Sequence, residues 1–293
     1  MLEFYYFGGV MGDIDNIKDP SNLEKNNFSG VMFTHDIPEG DMFIKAARDI
    51  DPNEKIKYLV AIRPYTISPQ YLYMMNDSMN KISQGRLQLN LISGYIKDHE
   101  NGYGGIVGDI NDQSTSVERS NYMIEFIRTL NNMQKDRENK VDFYVSTTNE
   151  FVFEVVKKYN NKIILPYAKY KMGSWTDPNY NKYQSPNDVF DISEMYVMVA
   201  MTPIIRKTKE ELEELTEYVQ RPIWKKGEAA QTVTDVGYFT YEEFDSFVKQ
   251  LEGEGIKGLL INAVPSEETS VIIPFIKEYV ESRKIQNKEM ENQ

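Results

Sequence analysis

Eight short runs rich in β-branched and aromatic residues, separated by stretches of helical spacing, restrict the fold of this sequence more than any other feature. The runs are Glu3–Phe7, Gly30–Thr34, Ile56–Ile62, Leu87–Ile92, Val141–Val145, Lys162–Tyr167, Met195–Ile205 and Lys257–Val264, each with the composition of a strand. Between most of them apolar residues recur three or four apart, as at Tyr122, Phe126, Leu130 and Met133, or at Phe151, Val155 and Val156. That spacing gives a helix one buried face. Strands alternating with helices call for a parallel sheet, because a parallel pair needs a crossover that a helix supplies. Eight repeats fit a closed (β/α)8 TIM barrel better than the alternative, an open doubly wound sheet, and 293 residues suit one barrel. The expected organisation is a single barrel over residues 1–284 with a polar tail at 285–293.

Three stretches are too long for tight connections: Gly94–Ser114 after the fourth strand, Lys169–Asp191 after the sixth, and Val219–Tyr238 beyond the seventh strand and its acidic helix. Segments that follow strands build the catalytic face of a barrel, so length there suits a lid, although plain insertions also read this way. The loop from Tyr167 to Tyr183 carries Tyr170, Trp175 and Tyr180, which suits an apolar wall over a planar ligand or a loop packed by its own aromatics. Arg221–Gly227, with Trp224 and Lys225, is basic and aromatic. It reads either as a cover for an anion or as a solvated turn.

Composition excludes several chemistries. A net charge of −12 repels polyphosphate backbones, so nucleic acid is not an expected partner. The absence of cysteine removes disulfides, thiolate metal sites and a cysteine nucleophile, and is compatible with a reducing cytoplasm. Neither a targeting segment nor a run of ~18 apolar residues stands out, so no membrane span is expected and the protein reads as cytoplasmic. The two histidines, His35 and His99, follow expected strands and are candidates for proton transfer. His35 and Asp36 with Glu39 and Asp41 offer one imidazole and no fixing spacing, so no metal is expected.

The most specific stretch runs Lys57-Tyr58-Leu59-Val60-Ala61-Ile62-Arg63-Pro64, then Ser68-Pro69, then Ile82-Ser83-Gln84-Gly85-Arg86-Leu87-Gln88-Leu89-Asn90-Leu91-Ile92-Ser93-Gly94. Ser68 can cap a helix that has Pro69 at its first position, and Gly85 can supply the left-handed residue that ends it. On the next strand Leu87, Leu89 and Leu91 share one face, and Gln88, Asn90 and Ile92 the other. If the polar face lines the barrel, Asn90 and Ser93 rise toward its mouth, within reach of a flat heteroaromatic cofactor. The apolar residues Tyr73, Met74, Met75 and Met79 of the intervening helix suit core packing or a subunit interface.

This stretch resembles the FMN-dependent alkanesulfonate monooxygenase branch of the bacterial luciferase superfamily. That branch carries a strand ending in Val-Arg-Pro, a Ser-Pro helix start, and Leu-Ser-x-Gly-Arg leading into Asn-x-x-x-Gly. Weaker similarity continues at Glu118-Arg119, Glu125-Phe126 and Arg206-Lys207-Thr208 with Glu210 and Glu211. The resemblance implies reduced FMN supplied by a separate flavin reductase, reaction with dioxygen to a flavin peroxide, and oxidation of a small organic substrate, commonly in a homodimer. It places Asn90 and Gly94 beside the flavin, next to the Ser93 already read as near the mouth. It places a hydroxyl residue of the phosphate site at Ser146-Thr147-Thr148, where a helix N-terminus also favours an anion; helix capping is the other reading. Arg119 could meet the phosphate or pair at the surface with Glu118 or Glu125.

Departures from the pattern bear on the reaction. Ser120 stands where the family has a phosphate-binding Tyr. Glu39 stands at the position of the sulfonate enzymes' Cys, and Ala200 and Thr202 at those of their Arg and His. Sulfonate chemistry is therefore in doubt, and a flavin- or ligand-binding barrel without oxygenase activity, like the nonfluorescent flavoprotein relatives of luciferase, stands as the alternative. A deazaflavin-dependent oxidoreductase is a third reading, against which the Arg63-Pro64 and Asn90 pattern speaks.

Overall fold

The computed structural model describes residues 1–8, 19–33, 41–92, 115–167, 171–172, 182–219, 236–263 and 266–291. Its strands are β1 (Glu3–Gly8), β2 (Gly30–Phe33), β3 (Lys57–Ile62), β4 (Leu87–Ile92), β5 (Phe143–Ser146), β6 (Lys162–Pro166), β7 (Lys171–Met172), β8 (Lys182–Tyr183), β9 (Val197–Arg206), β10 (Val236–Thr240) and β11 (Gly258–Ile261). The order β9-β11-β1-β2-β3-β4-β5-β6, with β9 also bonded to β6, closes eight strands into a ring. This is a (β/α)8 barrel, and its strands are the eight runs read from the sequence. β10 is a further strand outside the ring, parallel to the second half of β9 from Val236↔Thr202 to Thr240↔Arg206. It begins inside the stretch taken as a loop, Val219–Tyr238, and leads at Thr240 straight into a capping box with Glu243. Within Lys169–Asp191, β7 and β8 form a short antiparallel ladder.

Two compact units make up the chain. The first comprises Met1–Gly30, Pro166–Asp191 and Val199–Gln293. Phe4, Phe244, Phe275 and Tyr279 pack as an aromatic cluster between β1 and the helices Tyr241–Gly253 and Thr269–Glu291. The Met1 amino group lies 3.4 Å from Glu252, whose other oxygen accepts from Arg283. At the end of β9 Arg206 donates a two-pronged pair to buried Glu268, at 2.9 and 2.6 Å. Gly30 opens β2 under the Tyr5 ring, and any side chain there would strike it.

The second unit comprises Val31–Leu165 and Ile192–Met198. Helix Pro69–Ser83 begins as its sequence requires: Ser68 accepts from the Tyr71 amide at 3.2 Å and Pro69 takes the first position. It leaves through two left-handed residues, Gln84 (φ 55°) and Gly85 (φ 81°). Arg86 then donates to the carbonyls of Ser83, Ile56 and Asp51, tying that helix end to the start of β3. Of the methionines on this helix, Met79 is buried whereas Met74 is 63% exposed. Helix Ser116–Gln134 buries Met123, Phe126, Ile127 and Leu130, and Tyr122 and Met133 are only half-buried. On helix Glu150–Lys158 Val155 and Val156 are buried as expected. Phe151 is 76% exposed, because it lies in the first turn, off the stripe formed by Val152, Val155 and Val156.

Candidate functional site

The parity of β4 is set by its partners. Leu87, Leu89 and Leu91 are buried, and the Asn90 amide nitrogen lies 3.6 Å from the Met32 sulfur of β2. Strand β3 lies between β2 and β4 in the sheet. A contact over an intervening strand is made across the concave face, so Met32 and Asn90 both point to the inside of the ring. The Ser146 hydroxyl of β5 lies 2.9 Å from Asn90 Oδ1. Asn90 is 1% exposed and Met32 4%. A buried carboxamide held at both ends, deep among apolar strands, is costly unless its hydrogen-bonding groups are used.

Register extends this into layers. Ala61 pairs with Asn90, and Asn90 with Tyr144, so these side chains share the inner face. Arg63 follows two residues after Ala61 in extended backbone (φ −93°, ψ 116°) and continues that face beyond the strand end, where it is buried. One layer toward the strand starts, Gln88 donates to Asp142 at 2.8 Å, and Lys162 donates to the same oxygen at 2.7 Å. The Lys162 ammonium sits 5.2 and 5.1 Å from the ring centroids of Tyr144 and Tyr196.

The structure brings together two expected site residues, Asn90 and Ser146, and adds Met32, to which the sequence assigned no role; Arg63, quoted only as part of the motif, is buried one residue beyond β3. Arg63 carried a legible signal, as a cation one residue past a barrel strand. Met32 carried none. Thr147 accepts from the Asn149 amide at 3.0 Å, and Thr148 is exposed. The cap of helix Glu150–Lys158 is Asn149, whose side chain accepts from the amides of Phe151 and Val152. Those amides are therefore already engaged at the helix end expected to meet a phosphate. Arg119 is half-buried on helix Ser116–Gln134, where Glu118 closes a capping box with Thr115 and Glu125 pairs with Arg128. His35, Glu39, Ser93, Gly94, His99, Trp175, Trp224 and Lys225 lie outside the described residues. Asp41 caps helix Met42–Asp49 by accepting from the Ile44 amide. Among the described residues no group of three acidic or histidine side chains is placed to hold a metal, and no helix is long and apolar enough to cross a membrane.

No protein-family model matches the sequence. Solved structures do resemble the chain in three dimensions. The EDTA monooxygenase EmoA from Chelativorans sp. BNC1 aligns over 96% of this chain and 94% of its own, with a TM-score of 0.65 at 11% identity. The riboflavin lyase RcaE, solved with a modified FMN and its substrate riboflavin, aligns over 97% and 92%, with a TM-score of 0.65 at 13% identity. The monooxygenase RslO1 from Streptomyces bottropensis aligns over 97% and 100%, with a TM-score of 0.62 at 11% identity. The chain has the barrel fold of these three proteins along nearly its whole length.

Proposed function

We propose that the chain is a flavin-dependent monooxygenase of the luciferase-like kind. In this reading it takes reduced FMN from a separate reductase and oxidises a small organic substrate with dioxygen in the cytoplasm. The observation that carries the reading is the buried Asn90 carboxamide, held between Ser146 and Met32 on the inner face of a barrel, in a fold shared with two monooxygenases and with a lyase solved with a modified FMN. FMN, when bound, supplies the electrons and reacts with dioxygen. The protein's part is binding, orientation and exclusion of water. Asn90 keeps one N–H and one lone pair beyond its bonds to Met32 and Ser146, which matches the mixed donors and acceptors along the edge of a flavin ring. The buried Arg63 guanidinium suits the negative charge of reduced flavin. Thr147 and Thr148 hydroxyls, with Arg119, are the groups assigned to the phosphate, because Asn149 already engages the nearby helix amides. Ser93 and Gly94 complete the flavin contacts, His35 and His99 handle protons, and Glu39, Trp175, Trp224 and Lys225 border the substrate.

Homodimer formation belongs to the same reading. Ile44, Tyr71 and Met74 are 72%, 56% and 63% exposed along one groove between helices Met42–Asp49 and Pro69–Ser83, an apolar surface that suits a second copy. A Met74→Glu variant is expected to sediment as a monomer where the wild type sediments as a dimer.

Anaerobic titration with reduced FMN, followed by mixing with air, tests the function. Binding with reoxidation slower than that of free reduced FMN supports the oxygenase reading. A barrel that binds flavin without oxygenating is favoured by Ala200 and Thr202 on β9, small side chains where the resemblance expects Arg and His. It predicts binding with reoxidation as fast as in free solution. Failure to bind reduced FMN at micromolar concentration sinks both.

A further inference from the structure

Asn90 can sit in either of two orientations, related by exchange of its carbonyl and amide ends. Ser146 does not choose between them, because a hydroxyl both donates and accepts and satisfies whichever end it meets. A thioether has no hydrogen and can only accept. Met32, 3.6 Å from the amide nitrogen, therefore breaks the tie: the –NH2 faces β2, the carbonyl faces β5, and Ser146 must donate to it at 2.9 Å. We propose that Met32 is a positioning residue which fixes the polarity of Asn90 and thereby places the one remaining amide N–H on the β2 side of the barrel interior and the remaining lone pair on the β5 side. A ligand edge is then read in one direction only, acceptor toward β2 and donor toward β5. Met32 is 4% exposed, so its sulfur is turned away from bulk solvent.

The orientation itself is independent of flavin, and only its consequence for binding rests on the function proposed above. Side-chain amide NMR of the ligand-free protein reads the orientation. In the wild type a nuclear Overhauser contact is expected between the Met32 methyl group and the Asn90 –NH2 protons. Met32→Leu keeps volume and removes the acceptor, and should shift the Asn90 amide protons markedly. Ser146→Ala should leave the Met32 contact in place. FMN affinity is expected to fall roughly 3- to 10-fold in Met32→Leu, the range for one modest hydrogen bond. Absence of the methyl–amide contact in the wild type overturns the proposal without need of any variant, as does an unchanged Asn90 amide signal in Met32→Leu. If wild type does not bind FMN but the amide signals behave as stated, the flavin reading fails and the orientation stands.

Discussion

Two polar clusters line the same inner face of β4, two residues apart, and they differ in what their bonds leave over. In the layer nearer the strand starts, Gln88 and Lys162 both donate to Asp142, and the ammonium is flanked by Tyr144 and Tyr196. That cluster neutralises itself, ties β4 to β5 and β6, and presents little to a ligand. In the next layer Asn90 is fixed by Ser146 and Met32 but retains one donor and one acceptor, with small Ala61 beside it in register. Both clusters keep buried polar groups satisfied. Only the second combines order with unused hydrogen-bonding capacity, the combination that a binding site needs and a structural plug lacks.

The comparison makes separable predictions. Asn90→Leu should weaken FMN binding at least roughly tenfold while the protein stays folded, because a buried partner of the ligand is lost; fluorescence titration measures it. Arg63→Met should lower affinity for reduced FMN about tenfold more than for oxidised FMN, the signature of a charge that meets the anion; equal losses in both redox states would contradict that role. Asp142→Ala should do the reverse of Asn90→Leu. It should cost about 1–2 kcal/mol in a urea unfolding curve, a modest figure because the Asp142 side chain is 41% exposed, and it should leave FMN affinity within about twofold.

A pH effect follows from groups away from both clusters. Burial is the main cause that raises the phenol pKa of Tyr6, Tyr58, Tyr167 and Tyr279, and pushes that of Tyr238 up to about 12. A raised folded pKa means the unfolded chain gives up its proton first, so this stability is complete below about pH 10 and is lost as pH rises from there to about 12. Alkaline unfolding followed by circular dichroism should therefore begin above about pH 10, with ionisation of these five phenols, followed by their individual ring NMR signals, appearing together with unfolding. Ionisation of these phenols well before unfolding would contradict the burial.

The extent to which the site was legible follows from the range of the interactions. Local rules sufficed for the strands, for Ser68 and Pro69 at a helix start, for Gly85 at its end, and for the period-two split that separates Asn90 from the leucines. Long-range pairing was not legible. Closure through β9 and β6, and the meeting of Met32, Asn90 and Ser146, depend on the tilt and stagger of strands far apart in sequence. β10 was hidden because five residues, Val-Gly-Tyr-Phe-Thr, give little periodicity before the next helix begins. At the start of helix Glu150–Lys158, Asn149 was in plain view, yet the hydroxyls before it drew the phosphate and capping readings, and the cap belongs to the amide.

The most direct test of the role given to the Asn90 layer is a crystal structure of the protein with FMN. The flavin ring is expected inside the barrel with an acceptor atom within ~2.7–3.2 Å of Asn90 Nδ2, and with Gln88, Asp142 and Lys162 still bonded to one another. FMN found outside the barrel, or seated against Asp142 and Lys162 with Asn90 untouched, would contradict it.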